Sequence, residues 1–142
     1  MEKEVLVSIH STQRIGGEAP EETSLVTDGI LSRNEQGLVL SYAESELTGM
    51  VGTTTTFYIE PERITLERSG TVHSRMVFAQ GQEDRSLYDV GFGALMIAVL
   101  AEEVRVDMDE NGGTMEVSYA VTIEQESAGR IEYRIDVRQK SA

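Results

Sequence analysis

Two runs toward the C-terminal end constrain the fold more than any other feature of the chain. Met115, Val117, Tyr119, Val121 and Ile123 alternate with Glu116, Ser118, Ala120, Thr122 and Glu124, the period of two that places one face of a strand in a core and the other in water. Ile131, Tyr133, Ile135 and Val137 repeat the pattern against Arg130, Glu132, Arg134, Asp136 and Arg138, and Ser127-Ala128-Gly129 between the runs predicts a hairpin turn. Asn111-Gly112-Gly113 offers residues that accept positive φ. A strand ending near Asp109 is therefore expected to pair with one beginning near Thr114. The last three strands read as a meander.

The remainder is punctuated in the same way. Strands are expected over Thr53 to Glu60, Arg63 to Ser69, Val72 to Ala79 and Arg85 to Val90, with turns at Pro61-Glu62, at Gly70 and around Gly81. The N-terminal third reads as Glu4 to Arg14, a loop holding Gly16, Gly17 and Pro20, Thr23 to Arg33, a turn over Asn34 to Gly37, and Leu38 to Glu46. Leu95 to Val104 is built of good helix formers. Yet Leu95, Ile97 and Val99 alternate out of phase with Val104, Val106 and Met108, the mark of a bulged strand, and the segment is assigned as one. The sum is one all-β domain over residues 1–142, a single antiparallel β-barrel of about eight to ten strands. A domain of 142 residues buries on the order of 68% of its unfolded surface and needs no covalent staple.

Composition removes several classes of function. The chain has no cysteine, which excludes disulfides, thiolate metal sites and a thiol nucleophile. Twenty-five acids against twelve bases give a formal charge of −13, which opposes a phosphate backbone unless the bases cluster. Arg130, Arg134 and Arg138 share a face with Glu132 and Asp136, a mixed and solvated stripe, so nucleic acid is not expected as a partner. MEKEVLVSIH carries no apolar run long enough for a secretion signal, and Ala94 to Ala101 is far short of the ~20 residues of a spanning helix. A cytoplasmic protein with no membrane partner is expected. His10 and His73 stand alone in sequence and read as surface residues. Asp107-Met108-Asp109-Glu110-Asn111-Gly112 opens like a calcium loop, but the twelfth position is Ser118 rather than a bidentate carboxylate. An acidic hairpin is expected there, and no metal or cofactor anywhere.

The segment SYAESELTGMVGTTTTFYIEPERITLERSGTVHSRMVFAQG, followed by YDVGFGAL and the DENGGTMEVSY hairpin, resembles the YwiB-like family of bacterial β-barrel proteins, a domain of unknown function grouped by fold with the calycins. The likeness covers nearly the whole chain. Tyr42, Glu44, Glu46, Thr48, Gly49, Met50 and Gly52 to Thr56 fall on the family's tyrosine-plus-glutamates strand and threonine run. Val90 to Leu95 keeps the aromatic, the second glycine and the leucine of a later family element and loses its proline. The resemblance implies a calycin-like, lipocalin-like barrel and carries no activity, since fold alone does not specify one.

Candidate site residues follow from phase. Leu38, Leu40 and Tyr42 run in register into Glu44 and Glu46, so these carboxylates are expected to face the barrel interior or its rim. By the same parity Arg68 follows Ile64 and Leu66 inward. Together with Thr54, Thr56 and Tyr88 they would form the polar anchor of an apolar cup. The same charges can instead form a structural ion pair that plugs the barrel end. Three functions fit: non-catalytic binding of a small metabolite, a side-chain-filled barrel acting as a protein-interaction module, or an enzyme with Glu44 or Glu46 as acid/base and Arg68 as anion stabiliser. The first is the leading expectation. Sequence leaves the oligomeric state open.

Overall fold

The computed structural model describes residues 2–15, 19–44, 51–70, 73–89 and 93–140. Ten antiparallel strands follow one another in the chain: β1 (Glu2–Ile15), β2 (Glu21–Arg33), β3 (Leu38–Ala43), β4 (Thr54–Glu60), β5 (Arg63–Ser69), β6 (Ser74–Ala79), β7 (Glu83–Asp89), β8 (Ala94–Asp109), β9 (Gly112–Ile123) and β10 (Glu126–Gln139). They form one sheet in the order β6-β5-β4-β3-β2-β1-β10-β9-β8-β7. The sheet curls until β6 and β7 meet, a nearly closed barrel. At that seam the Asp84 carboxylate accepts the Val77 N–H at 3.0 Å in place of a backbone ladder.

Each strand sends one parity inward. Val5 and Val7 of β1, Leu31 of β2, Leu40 of β3, Ile64 and Leu66 of β5, Phe78 of β6, Val99 of β8 and Met115 of β9 are all but completely buried. They fill the barrel at the end nearest the β2–β3 and β8–β9 turns. Phe78 packs on Tyr119 with ring centroids 4.7 Å apart, closing the apolar layer from above.

The bulge expected in β8 is present. Ala101 pairs with Tyr119 and Glu103 with Ser118, the register shifting between them. That extra residue lets Ile97, Val99 and Ala101 on one side and Val104, Val106 and Met108 on the other pack against the same core. The last hairpin differs from expectation. Its turn is Glu124-Gln125, with φ of 51° and 71°, the two positive values of a type I′ turn. Ser127 to Gly129 is instead a bulge in β10, where Gly129 takes a φ of 148°. A turn without glycine is affordable because Glu124 is tied twice to β8: its N–H donates to the Met96 carbonyl at 2.9 Å, and its Oε1 accepts the Met96 N–H at 2.9 Å.

The sheet is unevenly knit between β2 and β3. Among the described residues their ladder runs from Ile30↔Ser41 to Arg33↔Leu38, whereas β2 stays paired with β1 as far as Glu21↔Gln13. Gly29 marks the branch: a Cβ there would stand 2.9 Å from both the Ser41 carbonyl oxygen and Val7 Cγ2. Above it, the outer half of β2 has no β3 partner among the described residues.

Candidate functional site

Beside this half of β2 lies a cavity of about 510 Å³. One wall is Ile9 and Ser11 of β1 with Thr23 and Leu25 of β2; the other is Tyr42, Glu44 and Arg68, with Tyr133 of β10 between them. This is the polar half of the interior. Below it lies the packed apolar core.

Glu44 reaches the interior because β3 pairing continues one step beyond the strand, the Glu44 N–H donating to the Thr53 carbonyl at 2.9 Å. Tyr42, exposed Ala43 and Glu44 therefore keep strict alternation, and Glu44 is 8% exposed. Its Oε2 accepts the Thr55 hydroxyl at 2.5 Å. Its Oε1 is buried and has no hydrogen-bond partner among the described residues. The Tyr42 phenol is a second hydrogen-bond donor to this carboxylate, so the buried charge is supported from within the barrel.

Arg68 stands opposite Thr55 on β4 and Ser74 on β6, which places it on the inward face as parity required. Tyr42 lies within electrostatic reach of both charges. Burial, reinforced by the Glu44 carboxylate, pushes the Tyr42 phenol far above its ordinary value, and Arg68 pulls the other way. Tyr119 is likewise raised by burial and by Tyr133, and Arg68 again opposes the shift. Both phenols stay protonated and serve as donors. The Tyr119 and Tyr133 rings stack at 6.0 Å, and the Tyr42 and Phe57 rings at 6.4 Å, so the cup has aromatic walls of fixed geometry. On the far side the Ser11 and Thr23 hydroxyls share a hydrogen bond of 2.9 Å.

Of the expected anchor, the structure brings together Tyr42, Glu44 and Arg68. Glu46 and the side chain of Tyr88 lie outside the described residues, as do the motif positions 45–50 and 90–92. Thr54 and Thr56 are corrected by one residue. They pair with Ala43 and Ser41 on the outer face, Thr54 being exposed and Thr56 half-buried, while Thr53 and Thr55 point in. The inward phase was set by Phe57 and Ile59, both buried, and extending that odd-numbered series backward through the threonines would have found Thr55. Ser11, Thr23 and Tyr133 were also missed as site residues, because strands far apart in sequence contribute them.

The remaining sequence motifs lie elsewhere. In the acidic hairpin the Asn111 N–H donates to Asp109 Oδ1 at 2.8 Å, and the Asn111 side chain receives Lys3 Nζ at 2.9 Å and Gln139 Nε2 at 3.0 Å. On the outer face of β10, Arg130 pairs with Glu102 at 2.7 Å and Arg134 with Glu116 at 3.4 Å, a mixed stripe in solvent. His10 and His73 are exposed.

The same architecture occurs in the crystal structure of the YwiB protein from Bacillus subtilis, with a TM-score of 0.82 over 99% of this chain and 94% of that one. At 18% identity the likeness is one of fold. No curated protein matches the chain. The family model of a domain of unknown function, DUF1934, matches residues 7–135, and the chain belongs to that family.

Proposed function

We propose that this protein binds a small metabolite, without chemical conversion, in the polar half of its barrel. The observation that carries the reading is the cavity of about 510 Å³ lined by Tyr42, Glu44, Arg68 and Tyr133. The volume falls within the roughly 300–1,000 Å³ of ligand pockets. Its polar and charged groups, set beside Ile9 and Leu25, would orient a bound molecule.

Native mass spectrometry of the protein recovered from its own cells, paired with extraction of the denatured sample, tests the reading. A stoichiometric adduct that disappears on denaturation is expected. Thr23→Phe, a change at an exposed rim position that fills the cavity from its wall, should abolish the adduct with little effect on folding. A bare mass for wild type, with Thr23→Phe indistinguishable from it, would overturn the reading.

A further inference from the structure

Resting on the ligand-cup reading above, we propose that the occupant is an uncharged ring compound, held against the Tyr42 and Tyr133 rings and hydrogen-bonded by the Gln13 carboxamide. The cavity lining carries one carboxylate, Glu44, and one guanidinium, Arg68, so the two formal charges cancel. Neither is open to a ligand. Glu44 accepts from Thr55 at 2.5 Å and from the Tyr42 phenol, and Arg68 is engaged within the chain. An ion entering the cup would give up its water without meeting an uncommitted countercharge, and a charge buried unpaired is costly. An anion would also work against the net charge of −13. A zwitterion has two such ends to place.

The polar groups that line the rest of the cup are neutral, and most are already paired. The Ser11 and Thr23 hydroxyls bond each other at 2.9 Å, Ser24 Oγ bonds His10 Nδ1 at 2.9 Å, and the Tyr133 hydroxyl bonds that of Tyr119. Gln13 is the exception. It follows Ile9 and Ser11 on the inward parity of β1, it lines the cavity, and its carboxamide has no hydrogen-bond partner among the described residues. A primary amide offers both donors and an acceptor, which suits a hydroxyl or a carbonyl and has no preference for an ion. The ring surfaces are preset. Tyr133 is stacked on Tyr119 at 6.0 Å and Tyr42 on Phe57 at 6.4 Å, so a ligand ring packs against faces that need no ordering on binding. Ile9 and Leu25 add apolar area to the same space.

Titration calorimetry of the full chain at neutral pH with naphthalenemethanol, naphthoate and naphthylmethylamine tests the class, because the three share a ring system and differ in charge. The alcohol is expected to bind at least about tenfold more tightly than either ion, a difference of about 1.4 kcal/mol. Methylnaphthalene, which lacks the hydroxyl, should bind about fivefold more weakly than the alcohol, and Gln13→Leu should abolish that preference while both compounds still bind. Either ion binding as tightly as the alcohol would overturn the uncharged class and leave the cup standing. A preference for the alcohol that survives in Gln13→Leu would overturn the role of Gln13. If none of the compounds binds, the adduct extracted from native protein decides. An uncharged ring compound supports the proposal; an adduct that is ionised at neutral pH, or has no ring, overturns it; no adduct at all removes the cup reading itself.

Discussion

The hydroxyls of Thr55 and Tyr42 make a buried carboxylate tolerable at the polar end of this barrel. Thr55 donates to Glu44 at 2.5 Å and is itself fully buried, so neither group can turn to water for a substitute. Thr55→Val keeps the volume and the β-branch but strips Glu44 of one donor. A loss of about 1–3 kcal/mol is expected, read as a lower denaturant midpoint with unchanged m-value. Thr54→Val, one residue away on the outer face, should stay within about 0.5 kcal/mol of wild type. Comparable losses for the two would mean that the threonine run faces the other way. Four identical residues carry no contrast of their own, which is why this phase was hard to read locally. The apolar and charged residues of β3 and β5 do carry contrast, and parity alone placed Glu44 and Arg68 inward.

At the scale of elements, a hairpin can choose a turn that its composition disfavours when the neighbouring strand supplies the anchor. Left-handed conformations at Glu124 and Gln125 cost about 1–2 kcal/mol each. Two hydrogen bonds from Glu124 to Met96 offset part of that cost. Gln125 makes no such bond among the described hydrogen bonds, so Gln125→Gly should relieve strain and stabilise the fold by about 0.5–1 kcal/mol, after the larger chain entropy of glycine is deducted. A thermal melt reads this directly, and a lower melting temperature would show that the strain is not stored at Gln125. The same hairpin marks the limit of sequence reading. Alternation identified both strands, since every second residue from Met115 to Tyr119 is buried. The turn was displaced toward Gly129 because glycine is the strongest local signal for positive φ, and here that φ serves a bulge. The β8 bulge was legible from the start, because a change of phase among Ile97, Val99, Val104 and Val106 is written in hydrophobicity, whereas a tether to Met96 is a tertiary contact.

Across the whole molecule, a sheet that almost closes has two weak lines, and they are treated differently. Among the described residues the β2–β3 ladder stops at Ile30↔Ser41, and the outer half of β2 lines the cavity through Thr23 and Leu25. Between β6 and β7, the two edges of the sheet, Asp84 stands opposite Val99 on β8, on the inward phase, and its carboxylate takes the Val77 N–H at 3.0 Å. An inward-pointing charge on an edge strand also discourages pairing with a foreign strand, so this aspartate both fastens the seam and protects it. Strand register was beyond sequence reading here because no local pattern states which strands become edges. Asp84→Ala should leave the Val77 amide without a partner and destabilise the fold by about 1–3 kcal/mol, whereas Asp84→Asn retains an acceptor and should cost less. Hydrogen exchange resolves the location. In Asp84→Ala, Val77 and its β6 neighbours should lose protection while the β1–β10 ladder keeps it. Unchanged protection at Val77 would mean that buried Met76 and Phe78, rather than the aspartate, hold β6 against the barrel, and that the seam is closed by packing alone.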